Sequence, residues 1–120
     1  MNPVINSTQF GSITIEGKEY EKDVMIRLDG SVEKRNKKLS KEKYGTSHKV
    51  SLEEAENIYE EGAEKVIIGN GQHGVLELSD EAHQFFRKEE CEVIIKPTPK
   101  AIKLWNEDKG NVVSMFHLTC

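Results

Sequence analysis

The chain has 120 residues, of which 36% are hydrophobic and 32% charged, and its formal net charge is −4 at pH 7. This balance predicts one soluble globular domain over residues 1–120 and excludes a disordered polyelectrolyte. No apolar run approaches the roughly 20 residues of a membrane-spanning helix, and the first residues lack the basic and apolar regions of a secretory signal. We therefore expect a cytoplasmic protein that makes no membrane contact, with Cys91 and Cys120 as free thiols.

Residues 10–49 predict strands followed by a basic loop. Residues 10–28 alternate between apolar and polar side chains around a glycine turn, with Val24, Ile26 and Leu28 on the second strand, which is the pattern of a β-hairpin. A third short strand is expected near Val32. Residues 33–49 carry seven basic and two acidic side chains, and we expect them to form a long exposed loop.

The second half alternates between helices and strands. Ser51 and Glu54 match a capping box, in which each side chain satisfies the other's free backbone donor, and Gly62 is expected to end that helix. Ser79 and Thr98 are the expected caps of two further helices. Strands are expected at residues 66–68, 75–78, 93–95 and 112–118, with the β-branched runs 66–68 and 93–95 buried between helices. The order predicts an α/β domain with a largely parallel central sheet and an N-terminal hairpin or small sheet.

Several short motifs together resemble one family of small α/β domains. They are Phe10-Gly11, Asp23 at a strand start, Val66-Ile67-Ile68-Gly69-Asn70-Gly71, Thr98-x-x-Ala101 and Trp105-Asn106. The function of that family is largely unknown, and its relatives include an adipogenesis-associated protein and an assembly factor of mitochondrial respiratory complex I. The resemblance covers nearly the whole chain. It implies a three-layer fold with a mixed central sheet, a last strand antiparallel to its neighbours, and no established catalytic residues.

The segment Gly69-Asn70-Gly71-Gln72-His73-Gly74 matches the GxGxxG pattern of dinucleotide-binding folds. In those folds a helix follows the glycines directly, whereas here the next helix cap is Ser79. A tight turn between strands is therefore favoured over nucleotide binding, and no cofactor is expected. A site for another small ligand or anion is the remaining alternative.

The start of the Thr98 helix is the second part of this candidate site. The carboxyl ends of parallel strands share one edge of a sheet, so the loops after residues 68 and 95 are expected to meet. Free N–H groups at Lys100 and Ala101 would favour an anion there. The candidate ligand-binding residues are therefore Gly69, Asn70, Gly71, Gln72, His73, Thr98 and Lys100.

The remaining reactive side chains predict neither a catalytic set nor a metal site. The four histidines show no metal-ligand spacing. His117 and Cys120 lie three residues apart on one predicted strand, and hence on opposite faces. The basic loop lacks interleaved aromatic residues apart from Tyr44, so nucleic acid is not an expected partner.

These observations favour a binding or assembly domain that acts through contacts with a protein partner. The alternative is a small-ligand or anion-binding enzyme that uses the Gly69–Gly74 loop and the Thr98 helix start. A pocket with titratable groups between these loops would favour the enzyme. A flat, exposed apolar patch would favour the interaction module.

Overall fold

The computed structural model describes residues 2–120. It has ten strands and four helices within those residues, which form a mixed α/β domain. In chain order they are β1 (Ile5–Gln9), β2 (Ser12–Ile15), β3 (Lys18–Tyr20), β4 (Val24–Ile26), β5 (Val32–Lys34), α1 (Lys38–Tyr44), β6 (Lys49–Val50), α2 (Leu52–Ile58), β7 (Lys65–Asn70), β8 (Glu77–Leu78), α3 (Asp80–Lys88), β9 (Glu92–Lys96), α4 (Thr98–Glu107) and β10 (Val112–His117).

The central sheet has five strands in the order β5-β4-β10-β7-β9 and is mixed, as predicted. The last strand, β10, is antiparallel to β4 on one side and parallel to β7 on the other. The expectation that it would be antiparallel to its neighbours is therefore wrong on the β7 side. The chain leaves β9, passes through α4 and returns as β10, and such a helical crossover joins parallel strands.

Two apolar clusters lie on opposite faces of this sheet. Along β7, Val66 and Ile68 belong to the cluster beneath α2 and α3, whereas Ile67 belongs to the cluster beneath α4. This division follows from the two-residue period of a strand. The fully buried Trp105 of α4 anchors the second cluster, and its ring meets that of Phe116 edge-on at 6.3 Å.

The two β-branched runs differ in burial. Val66, Ile67 and Ile68 are fully buried, as predicted, because β7 has a strand on each side. The run from residue 93 to residue 95 is only half-buried, because β9 is an edge strand of the sheet. The prediction that both runs would be buried is thus wrong for β9.

The N-terminal strands form a separate antiparallel sheet in the order β1-β2-β3. Strands β2 and β3 join at Glu16 and Gly17, both of which have positive φ. Val24–Ile26, predicted to belong to the hairpin, instead joins the central sheet as β4. Asn106 of α4 fastens the small sheet to the domain, because its side chain accepts from the Ile5 N–H and donates to the Ile5 carbonyl, both at 2.9 Å.

Residues 33–49 do not form the predicted long exposed loop. They contain the end of β5, all of α1 and the start of β6, which pairs with β8 in a two-stranded parallel sheet. Arg35 is only 1% exposed and Ser40 is fully buried. This basic segment is ordered because two of its polar side chains are bound inside the domain.

The predicted helix starts are correct at two positions. Ser51 accepts a hydrogen bond from the Glu54 N–H at 3.0 Å, and Ser79 accepts one from Ala82 at 3.1 Å. The first of these helices ends at Ile58 rather than at Gly62. Within residues 2–120 no helix is both long and apolar enough to cross a membrane.

Candidate functional site

The glycine loop after β7 and the start of α4 lie against each other. The Gly71 N–H donates to the Thr98 hydroxyl at 3.0 Å, and the Thr98 N–H donates back to the Gly71 carbonyl at 3.0 Å. The two segments meet because β7 and β9 are parallel and end at the same edge of the sheet. Gly69 also packs closely here, since a Cβ on it would lie 2.9 Å from the Thr98 hydroxyl oxygen.

Thr98 is not the helix cap that the sequence predicted. Pro97 occupies the cap position, and the Thr98 hydroxyl donates instead to the carbonyl of His117 at 2.6 Å. The N–H groups of Lys100 and Ala101 both donate to the Pro97 carbonyl at 2.9 Å. The free donors that would have held an anion at this helix start are therefore already paired, and the Lys100 side chain is exposed.

The loop binds the residues that follow β10. Gln72 donates its N–H to the Thr119 carbonyl at 2.7 Å, and the N–H groups of His73 and Val75 donate to the Cys120 carbonyl at 3.1 Å. The next helix, α3, begins only at Asp80, so the loop connects β7 to β8 and lacks the helix that directly follows the glycines in dinucleotide-binding folds.

The remaining predicted side chains of this loop are also placed locally. Asn70 donates to the Gly74 carbonyl at 3.3 Å, and Gln72 donates to the Thr8 hydroxyl at 3.1 Å. The His73 ring is exposed and lies 6.3 Å from the ring of Phe10. These contacts tie the glycine loop to the small sheet.

A buried network of charged side chains lies elsewhere, where β4, β5, α2 and β10 meet. Arg35 donates from Nη1 to Asp23 Oδ2 at 2.9 Å and from Nε to Glu54 Oε2 at 2.6 Å. All three side chains are at most 3% exposed. The fork of the guanidinium suits two carboxylates at once, because each carboxylate accepts charge-assisted hydrogen bonds.

Two serines complete the environment of Glu54. The Ser40 hydroxyl donates to Glu54 Oε1, and the same hydroxyl oxygen accepts the Ser51 N–H at 3.0 Å. The carboxylate of Glu54 is thus used by Arg35 and Ser40, not by the Ser51 backbone as a full capping box requires. Only the Ser51 half of the predicted box is present.

Asp23 links this network to His117. The Asp23 Oδ2 lies 2.7 Å from His117 Nδ1, and Oδ1 accepts the Leu118 N–H at 2.9 Å. Burial alone would raise the pKa of the Asp23 carboxyl, but His117, the Leu118 N–H and Arg35 together lower it from 3.8 to about 2. Asp23 is therefore ionised at neutral pH and accepts the Nδ1 proton.

The other nitrogen of His117 faces a hydroxyl. His117 Nε2 lies 3.3 Å from Thr119 Oγ1, and Thr119 is partly exposed, whereas His117 is 1% exposed. His117 Nε2 and Thr119 Oγ1 are therefore close enough to share a hydrogen bond. Asp23, His117 and Thr119 thus connect the buried network to the surface.

A cleft opens above Asp23 and Thr119. It has a volume of about 270 Å³, and we call it the lysine cleft. It is lined by Gly11, Glu21, Lys22, Asp23, Lys34, Lys37, Leu118 and Thr119. A cavity of about 360 Å³ adjoins it and shares Glu21, Lys22, Asp23 and Lys34 with it. The lining of the lysine cleft has three lysines and two carboxylates, Glu21 and Asp23, so the lysines are in excess by one charge.

A second groove of about 240 Å³ lies beside Trp105 and is a weaker candidate. Its carboxylate, Asp108, is bound by the Lys65 ammonium at 2.7 Å, which lowers the Asp108 pKa.

Cys91 is a packing residue, as predicted, since burial raises the pKa of its thiol to about 11. Within residues 2–120, no group of three or more His, Cys, Asp or Glu side chains is arranged to hold a metal ion.

The Asp23 network makes stability depend on pH. The Asp23 pKa in the folded chain lies nearly two units below its ordinary value of 3.8, so its ionised form adds about 2 kcal/mol of stability above pH 4. That contribution is lost as the pH falls from about 4 to about 2. In Asp23→Asn we expect this loss of stability between about pH 4 and about pH 2 to be absent, as measured by urea denaturation at several pH values. Asp80→Asn, which removes the same charge at an exposed position, should keep it.

Sequence reasoning missed the residues of this network. Arg35 lies in a run of lysines that indicates solvent, and Asp23 and His117 are separated by 94 positions. The one available signal was Asp23 at the start of an apolar strand, where a lone carboxylate requires a partner once the strand is buried.

The comparisons with known proteins identify the family. A family model described as "Protein of unknown function (DUF498/DUF598)" matches residues 5–116. The chain belongs to this family. A conserved hypothetical protein from Pyrococcus horikoshii OT3 is 38% identical, with a TM-score of 0.90 over 97% of this chain and 98% of that one. No curated protein matches the chain.

Two further solved structures extend the likeness. The protein named MT938 is 38% identical, with a TM-score of 0.85 over 99% of this chain and all of that one. A Bordetella pertussis protein described as a Mth938-like domain is 12% identical, with a TM-score of 0.66 over 97% of this chain and 85% of that one. At that identity the last comparison shows a shared fold alone. The family match therefore establishes membership and fold, while the function rests on the chemistry of the site.

Proposed function

We propose that this domain binds a small anionic ligand in the lysine cleft. The observation that carries the proposal is the composition of the cleft, which three lysines line together with Asp23 and Thr119. Lysine ammonium groups and a hydroxyl donor are suited to phosphate or carboxylate oxygens. This keeps the anion-binding hypothesis from the sequence but moves the site away from the glycine loop, whose N–H donors are already used.

The ion pairs of Asp23 are compatible with the same ligand class. An unpaired Asp23 would repel an anion, but Arg35 holds its carboxylate at 2.9 Å from within the domain. Lys37 Nζ also lies 3.9 Å from Asp23 Oδ2 and is 43% exposed, so its charge is available to the cleft. Arg35 and Lys37 thus both offset the Asp23 charge, and Lys22 and Lys34 are the other cations that line the cleft.

A phosphate titration tests the proposal. We expect inorganic phosphate or pyrophosphate to shift the amide NMR signals of Lys34, Lys37 and Thr119. The Lys34→Glu/Lys37→Glu variant should lose at least about tenfold in affinity, because a charge-assisted hydrogen bond contributes about 1.5–3 kcal/mol.

Lys100→Glu is the control at the originally predicted site beside α4, where it reverses one exposed charge. It should bind phosphate as the wild type does. If Lys100→Glu abolishes binding while the Lys34→Glu/Lys37→Glu variant retains it, the anion site is at the helix start and the lysine cleft is not the site.

A protein-contact function is the second candidate, and one observation favours it. Phe10 is 61% exposed and Val75 is 50% exposed, and the Phe10 ring lies beside the exposed His73 ring. Contiguous apolar patches at a folded surface are typical of interaction sites. Lys34 lines the lysine cleft and Phe10 does not, so Phe10→Ser and Lys34→Glu separate protein binding from anion binding.

A further inference from the structure

Strand β9 is an open edge of the central sheet. It pairs with β7 on one side and, within residues 2–120, with no strand on the other. Its apolar residues Val93, Ile94 and Ile95 are each only partly buried. The opposite edge strand, β5, is shorter and ends in Glu33 and Lys34, so β9 is the more apolar of the two edges.

The direction of the backbone groups on β9 follows from its pairing. The Glu92 N–H donates to the Glu64 carbonyl at 3.0 Å, toward β7. Backbone groups of alternate residues point to opposite sides of a strand, so those of Val93 and Ile95 point away from β7. Pro97 has no N–H and ends the segment that can pair.

The sequence of β9 is complementary to itself. In Glu92-Val93-Ile94-Ile95-Lys96, an antiparallel copy centred on Ile94 places Val93 opposite Ile95. These are the two residues whose backbone groups point outward. The same register places Glu92 opposite Lys96 at both ends, as a non-hydrogen-bonded pair in which side chains lie closest.

We infer that β9 pairs with β9 of a second copy of this chain, antiparallel and centred on Ile94. The two five-stranded sheets then join into one sheet across a two-fold axis perpendicular to it. Rotation about an axis perpendicular to the sheet maps each face onto the same face, so the α3 side and the α4 side each continue across the dimer. This interface is independent of the lysine cleft and goes beyond the proposed function.

The flanking charges also allow a competing explanation. Charged residues and proline are common at edge strands because they prevent pairing with other chains. Under that explanation the order of the two charges is irrelevant, whereas self-pairing requires opposite charges at positions 92 and 96.

Charge reversal distinguishes the two explanations. We expect the wild type to sediment at twice the chain mass of 13.6 kDa. Glu92→Lys and Lys96→Glu should each weaken the dimer about tenfold, because each places two like-charged pairs across the interface. The Glu92→Lys/Lys96→Glu double variant should recover the wild-type dissociation constant to within about threefold, since it restores both pairs. Glu89→Lys, at the exposed end of α3, is the charge-matched control and should leave the dimer unchanged.

Amide hydrogen exchange provides a second measurement on the folded chain. The Val93 and Ile95 amides should exchange slowly in the wild-type dimer and faster in Glu92→Lys, while the Glu92 amide stays protected in both. A wild type that remains at the single-chain mass at high concentration overturns the inference. So does a dimer that the charge variants leave unchanged, or one in which the double variant is as weak as the single ones.

Discussion

Replacing Arg35 with methionine is expected to lower the free energy of unfolding by about 3–5 kcal/mol, because it leaves buried carboxylates without their cation. Asp23 and Glu54 are at most 3% exposed, and both accept hydrogen bonds from this one guanidinium. Glu54 is fully buried in α2, so its carboxylate cannot turn to water without opening the packing of that helix. Urea denaturation at pH 7 measures the change directly.

Arg87→Met is the matched control for Arg35. It makes the same chemical change at an exposed position on α3, where a loss below about 0.5 kcal/mol is expected. The Arg35→Met/Glu54→Leu double variant should lose less unfolding free energy than the sum of the two single losses, since both members of the buried ion pair are removed together. An Arg35→Met loss no larger than that of Arg87→Met would show that water or a rearranged side chain compensates the two carboxylates.

The elements that the sequence predicted correctly depend on neighbours within a few residues. The β-branched run at residues 66–68 predicts a buried strand because a strand that is covered on both faces has apolar side chains at consecutive positions. Ser51 and Ser79 predict helix starts because a cap and its N–H lie three positions apart. Mixed pairing within the sheet also agreed with the family resemblance.

The elements that the sequence missed depend on partners far along the chain. The lysine-rich segment 33–49 indicated solvent, yet it folds because Arg35 and Ser40 bind Glu54 of α2. The Thr98 side chain was predicted to cap its own helix, but it bonds His117 on β10. A hydroxyl can satisfy either partner, and only the assembled sheet decides which lies closer.

The candidate ligand-binding site lies away from the predicted glycine loop for the same reason. The glycine loop and the start of α4 were correctly expected to meet, because strand direction alone determines which loops share an edge. Whether their N–H groups are free depends on what else reaches that edge, and Thr119 and Cys120 reach it. The donors predicted for a ligand are therefore bound to the chain itself.

Gly71→Ala is expected to destabilise the fold by about 3 kcal/mol, through backbone strain and a steric clash together. Gly71 has a φ of +106°, a conformation that residues with a side chain rarely adopt. A Cβ at this position would lie 2.6 Å from the Cys120 carbonyl oxygen and 3.0 Å from the His117 ring. Thermal and urea unfolding should both show the loss. The Thr119 and Cys120 amide signals should shift, because the clash displaces the residues bound to the loop.

Gly74→Ala separates the two causes within the same loop. Gly74 also has positive φ, at +71°, but its nearest neighbour would lie 3.5 Å from an added Cβ, which is an ordinary contact. Its cost should therefore be the strain alone, about 1–2 kcal/mol. If Gly71→Ala costs no more than Gly74→Ala, the packing of the loop against Cys120 does not contribute to stability. A larger loss at Gly71 would mean that the glycine is required chiefly for close packing against β10 and the residues after it, which accounts for a GxGxxG pattern without a nucleotide.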